Sequence, residues 1–235
     1  MDTAVNCKSC NEPINKNFCA NCGHPAVLKR VDSHYLLHEI QHVLHFEKGI
    51  GYTARELLLR PGITVRRFLT EDRSRLIKPI IFIIVTSLVY SVVSHFFHTE
   101  IEMPVLYNSA VFKILQWLQG HYGYASIIMG MFIAFFLKLF FRKLSYNLFE
   151  ILVLLCFVMG IGMLISALFA LMEGLTHIEL SNTGYLINFL YSIWAITMFF
   201  KGKVVHFFKV FVAYITGVLV FAILAILLGV LIDYL

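Results

Sequence analysis

Phe149-Glu-Ile-Leu-Val-Leu-Leu-Cys-Phe-Val-Met-Gly-Ile-Gly-Met-Leu-Ile-Ser-Ala-Leu-Phe-Ala-Leu-Met172 is apolar on every side, with Glu150 its only charged residue. A helix rises about 1.5 Å per residue, so roughly 20 residues cross the ~30 Å hydrocarbon core of a bilayer. This run reaches that length and has no polar stripe to turn toward water, so it reads as a membrane span. Four runs of similar character flank it, at about 79–97, 124–141, 185–200 and 205–232. The first opens on Pro79, at a helix start where a missing N–H costs little. Composition agrees: 59% of the chain is hydrophobic and 14% charged, where soluble domains hold about 45–50% and about 25%. The expected fold class is an all-α integral membrane protein. It has a five-helix transmembrane bundle, preceded by a small N-terminal zinc ribbon and amphipathic juxtamembrane helices. Residues 111–118 are apolar but too short to span, and read as an external interfacial helix with Trp117 at the headgroups.

The loops orient the bundle. Of nineteen basic residues, twelve precede the first span. Lys138, Arg142 and Lys143 mark the exit of the second, and Lys201, Lys203 and Lys209 the turn between fourth and fifth. Only Lys113 falls on the opposite side, which carries Glu100, Glu102, Glu173 and Glu179. The positive-inside rule then puts the N-terminus in the cytosol and the C-terminus outside, in the cytoplasmic membrane. Gly162, Ser166 and Ala170 on the third span, and Ala222, Ala225 and Gly229 on the fifth, are spaced to let helices approach closely. Ionisable groups at mid-membrane depth are nearly absent, which leaves a channel or ion-coupled carrier little to work with. Lys138 and Glu150 lie near the cytosolic edge, within reach of each other.

Residues 1–28 read Cys7-x2-Cys10-x8-Cys19-x2-Cys22. No signal peptide is apparent before them, so the thiols are expected in a reducing compartment, where such pairs bind metal more often than they form disulfides. Two pairs present four thiolates tetrahedrally, a set that Zn²⁺ takes readily; four protein ligands leave no open position, so the metal is structural. A redox dithiol or an iron site is the alternative. His24 follows the second pair as a bystander rather than a fifth ligand. Cys156, alone in an apolar run, is a packing residue.

Residues 32–78 form the second region, ahead of the membrane region at 79–235. His34, His38, His42 and His45 fall within roughly 80° of one helical face at about 100° per residue, opposite Leu36, Leu37, Ile40, Val43 and Leu44. Within them His38-Glu39-Ile40-Gln41-His42 matches H-E-x-x-H. Two histidines at that spacing chelate a metal, and Glu39 is placed to polarise a bound water as general base. A hydrolase also needs a third ligand, for which Glu56, Glu71 or another histidine of the stripe is available. A solvated polar helix edge, and a non-catalytic metal or headgroup contact, are the other readings. Thr53 and Thr64 are expected to cap two short helices, the first ended by Pro61-Gly62. These lie along the membrane surface or under the bundle. Arg66, Arg67, Arg73, Arg75 and Lys78 are expected to meet anionic lipid headgroups. They hug the membrane, so nucleic acid is not an expected partner.

The run Cys7-x2-Cys10…Cys19-x2-Cys22-Gly23, then His38-Glu39-Ile40-x-His42-x2-His45-Phe46-Glu47-Lys48-Gly49, then Leu57-Leu58-x-Arg60-Pro61-Gly62 and Arg73-x-Arg75-x2-Lys78-Pro79, resembles the bacterial membrane proteins of the domain-of-unknown-function 3667 family. The resemblance covers about the first 95 residues. It implies a zinc ribbon, a juxtamembrane block and a multi-span tail, with no assigned activity. The expected role is a non-enzymatic scaffold or regulator whose ribbon docks a cytosolic protein partner. The alternatives are a zinc metallohydrolase using His38, Glu39 and His42, and a lipid-handling or transport component.

Overall fold

The computed structural model describes residues 5–14, 17–26, 49–97 and 109–234. The histidine stripe, with Glu39, lies outside them. The described residues form eight helices and one two-stranded sheet. In the sheet, β1 (Val5–Asn6) pairs antiparallel with β2 (Pro13–Ile14). Two short helices follow, α1 (Ile50–Leu59) and α2 (Pro61–Thr70). Then come α3 (Pro79–Phe97), α4 (Ala110–Gly120), α5 (Tyr122–Phe140), α6 (Leu148–Thr176), α7 (Ser181–Phe199) and α8 (Val204–Tyr234).

Four of these helices, α3, α5, α6 and α8, are long and apolar enough to cross a membrane. The expected fourth span falls in α7, which has the length but not the same apolarity, because Asn182, Thr183, Asn188 and Ser192 interrupt it. Its polar residues turn partly inward: Ser192 is buried and Asn188 half-buried.

The bundle is built around α6, the helix quoted first above. Within its most apolar stretch 72% of residues are buried, against 11% for α8. So α6 is the axis and α8 the periphery. α3, α5 and α7 all pack on α6, while α8 lies mainly against α5 and α4. Glu150 starts α6 by closing a capping box with Asn147: each backbone N–H donates to the other residue's side-chain oxygen at 2.8 Å. Lys138 takes the carbonyl of Tyr146 at 2.6 Å. Gly162, Ser166 and Ala170 are buried on α6, as their spacing implies. On α8 the close seam is displaced. Ala213 and Gly217 are buried, Gly217 against the backbone of Ile133, whereas Ala222 is exposed and Ala225 half-buried. The cause is that α8 meets α5 along its first half and α4 near its end, where Gly229 abuts Val111. The short apolar segment is helical, as α4, and its first N–H at Ala110 is taken by the Asp233 carboxylate at 2.6 Å.

The juxtamembrane helices pack into the main core of the bundle. Their starts differ from expectation. α1 begins at Ile50, and Thr53 is fully buried, its hydroxyl accepting from the Ile77 N–H at 3.2 Å. α2 begins at Pro61, so Arg60 alone joins the two helices, and Thr64 donates its hydroxyl to the Glu56 carbonyl at 3.3 Å. Both threonines serve tertiary contacts in place of capping. Proline opens α2 because at the first position it gives up an N–H that has no partner there. Val65, Phe68 and Leu69 enter the main core, where Phe68 packs edge-on against Phe157 of α6 at 5.3 Å.

Candidate functional site

The four cysteines come together through a local repeat. In the first knuckle the Cys7 N–H donates to the Glu12 carbonyl at 2.7 Å, and the Asn11 N–H to the Cys7 carbonyl at 2.8 Å. In the second, Cys19 N–H bonds His24 carbonyl at 2.7 Å and Gly23 N–H bonds Cys19 carbonyl at 2.9 Å. Each second cysteine is followed by a residue in the left-handed region, Asn11 at φ 65° and Gly23 at φ 71°. Asn and Gly are the types that accept that conformation at little cost. Two like turns thus face each other, with Cys7 3.5 Å from Cys22 and Cys10 3.5 Å from Cys19, sulfur to sulfur. All four sulfurs lie within 4.8 Å of one another.

That geometry fits a metal ion. A tetrahedron with metal–sulfur bonds of about 2.3 Å has edges of about 3.8 Å, which is the scale of this cluster. The electrostatics point the same way. The Cys22 backbone N–H leads the interactions that draw the Cys19 thiol down to about 7. Cys22 behaves oppositely: the His24 N–H favours its thiolate, but desolvation and the neighbouring sulfurs outweigh it and push the thiol up to about 12. Four thiolates so close repel, and a cation at their centre removes that repulsion. The module has little else to hold it: Cys7, Ile14 and Cys19 are its buried hydrophobics, with Cys10 and Ala26 packed on them.

His24 fastens this module to the block beneath the bundle. It is 8% exposed, and its Nε2 donates to the Glu71 carbonyl at 2.6 Å while Nδ1 lies 3.6 Å from the Asp72 carboxylate. Asp72 is itself buried. Desolvation raises its carboxyl, but the Ser74 hydroxyl at 2.7 Å and Ser74 N–H at 2.8 Å outweigh it, helped by His24 and by Ser9 of the first knuckle. The net position is below the ordinary carboxylate range, so this corner gains stability above that range and loses it as acid protonates Asp72. His24→Ala should therefore keep the metal content while freeing the module, at a cost of about 1 kcal/mol. Hydrogen exchange should quicken at residues 17–26 and 71–74 together; unchanged exchange at 71–74 would count against the latch.

The block is in turn joined to the bundle. The Arg66 guanidinium donates to the carbonyls of Met198 at 2.6 Å and Phe199 at 2.8 Å, oxygens that the end of α7 leaves without helical partners. Tyr191 of α7 donates its hydroxyl to the Leu57 carbonyl at 3.2 Å. Of the five basic residues expected at headgroups, Arg66 thus faces α7, Arg67 lies 3.9 Å from Glu71 and Arg73 reaches the Leu69 carbonyl at 3.4 Å. Arg75 is exposed and Lys78 half-buried. The His38 and His42 site for which Glu56 and Glu71 were offered as a third ligand lies outside the described residues.

Inside the bundle the polar residues of α7 border a cavity of about 140 Å³. Asn188 and Ser192 face Ser166 of α6, Tyr90 of α3, Tyr122 of α5 and Tyr214 of α8 across it. Their mutual bonds are long: Asn188 to Ser166 3.5 Å, Ser192 to Asn188 3.4 Å, Tyr90 to Tyr185 3.4 Å. No charged side chain lines it. It has room for several ordered waters, which would complete those weak contacts.

Residues 47–91 match the family described as "Protein of unknown function (DUF3667)". The match spans α1, α2 and the first part of α3, the block that carries Thr53, Gly62 and Arg66. No curated protein and no solved structure matches the chain.

Proposed function

We propose that this carrier of the DUF3667 block is a non-enzymatic scaffold or regulator of the cytoplasmic membrane, with a cytosolic N-terminus, an external C-terminus and α7 as a fifth span. Its residues 1–28 form a structural zinc ribbon, 32–78 a juxtamembrane region and 79–235 the membrane region. The carrying observation is the unbroken line of contacts from the cysteine cluster through His24 to Glu71 and Asp72, and from Arg66 to the end of α7. A module tethered only for affinity needs no such latch; one that reports to, or is held by, the bundle does. Four sulfurs close the coordination shell, which favours a structural ion over a catalytic one. The Lys/Arg asymmetry of the loops supports the orientation. Arg75, and Arg67 beside Glu71, are exposed toward anionic headgroups, and Phe18, 63% exposed beside Cys19, offers the ribbon an apolar contact for a cytosolic protein.

The test places a photo-crosslinking residue at Phe18 in membranes carrying the full chain. The expected result is a discrete protein adduct that disappears in Cys7→Ser/Cys10→Ser, while the chain remains inserted. Metal-dependent hydrolysis lost in His38→Ala/His42→Ala would replace this reading with an enzymatic one.

A further inference from the structure

A second pocket, of about 560 Å³, lies where α5 ends and α8 begins. Arg142, Lys143, His206 and Lys209 line it, with Leu139 and Phe140 as its apolar side. No acidic residue is among its lining residues. Arg142, Lys143 and Lys209 are exposed and form no ion pair among the described residues. Lys209 and His206 sit against a rigid aromatic floor. Phe141 stacks face to face on Phe200 at 4.0 Å, His206 stands edge-on to Phe141 at 5.4 Å, and the Lys209 ammonium lies 5.9 Å from the same ring. The Nδ1 of His206 is buried and lacks a hydrogen-bond partner among the described residues. Buried polar atoms are ordinarily paired, so the place is short of one acceptor or donor.

Four features converge: a surplus of positive charge, an unpaired ring nitrogen, an apolar wall and a volume in the range of ligand sites. We propose that this pocket binds the phosphate-bearing headgroup of an anionic phospholipid. The junction of two membrane-length helices puts it at the depth of lipid phosphates, and Leu139 and Phe208, 53% and 63% exposed, give acyl chains an apolar flank. Basic residues between helix ends on one membrane face are the arrangement that attracts anionic headgroups. The site is distinct from Arg66–Lys78 and requires the membrane reading, but neither the ribbon nor its metal.

The test uses the full chain in detergent, titrated with phosphatidylglycerol or phosphatidylcholine in mixed micelles, with native mass spectrometry and thermal melting as readouts. Phosphatidylglycerol should bind at about tenfold lower concentration than phosphatidylcholine and raise the melting temperature. The preference should vanish in Arg142→Gln/Lys143→Gln/Lys209→Gln and persist in Lys201→Gln/Lys203→Gln, which removes charge elsewhere on the same face. Equal loss in both variants, or none in the first, overturns the proposal. Stabilisation by inorganic phosphate or glycerol 3-phosphate without a lipid preference would overturn the lipid assignment in favour of a soluble phosphoryl ligand. Should the triple variant misfold, a photoactivatable phosphatidylglycerol on the unaltered chain decides. Adducts within residues 139–144 and 204–209 support the site, and adducts confined elsewhere overturn it.

Discussion

Replacing Cys7 and Cys10 by serine is expected to abolish metal binding at the cysteine cluster and unfold residues 5–26 while α3, α5 and α6 keep their protection. The ribbon buries Ile14 and two cysteines and little more, so it cannot offset the chain entropy of ordering its residues from apolar contacts alone. The zinc ion proposed above would supply about 10–16 kcal/mol, which exceeds any other contribution here. Elemental analysis should fall from one metal per chain to none. Hydrogen exchange in residues 5–26 should rise to that of an unstructured peptide, and a strong chelator should reproduce both effects. The bundle's melting should move little, because the ribbon reaches it through the His24 and Asp72 corner and not through its core. Retained protection in residues 5–26 without metal would show that the fold of the ribbon does not depend on an ion.

Gly62→Val should be the most damaging single substitution in the juxtamembrane block. Gly62 lies where the start of α2 meets the end of α7, and a Cβ there would come within 2.6 Å of the Phe199 backbone nitrogen and closer still to the Met198 carbonyl. Main chain cannot swing aside as a side chain can, so α2 must retreat. Retreat also breaks the two bonds from Arg66 and loosens Phe68 from Phe157. Overpacking alone costs about 1–3 kcal/mol, and the paired loss of charge-assisted bonds adds about 1.5–3 kcal/mol. Thermal melting in detergent should show it as a large downward shift. Gly51→Ala is the matched control: a Cβ at Gly51 meets nothing within 4 Å, and the helical position should gain about 0.4–1 kcal/mol. Equal melting of the two variants would mean that the α2–α7 contact is not tight.

What the residues announced in advance follows from how local each signal is. The cysteine spacing carries its own geometry, so the cluster was legible at once. Residues 79–97 were legible to the residue because Pro79 opens the helix and the run holds no Asp, Glu, Lys or Arg. α7 was harder, since Asn188 and Ser192 lower its apolarity while serving contacts inside the bundle. The partners of Arg66 and His24 could not be found. Each of these side chains binds a backbone carbonyl far along the chain, and a carbonyl has no letter in a sequence. Thr53 and Thr64 misled for the converse reason: they match a capping pattern, but partners outside their own helices, the Ile77 N–H and the Glu56 carbonyl, claimed their hydroxyls first.

The bonds from Arg66 to Met198 and Phe199 join residues 132 and 133 positions apart. During synthesis, α1 and α2 leave the ribosome long before the carbonyls that will hold them exist. Until α7 has been made, Arg66 has no seat, Gly62 has nothing to abut, and α6 waits with Ser166 and Gly162 uncovered on one flank. The segment translated early is therefore locked late, and any factor that shields it in the interval acts on the nascent chain and not on the finished protein.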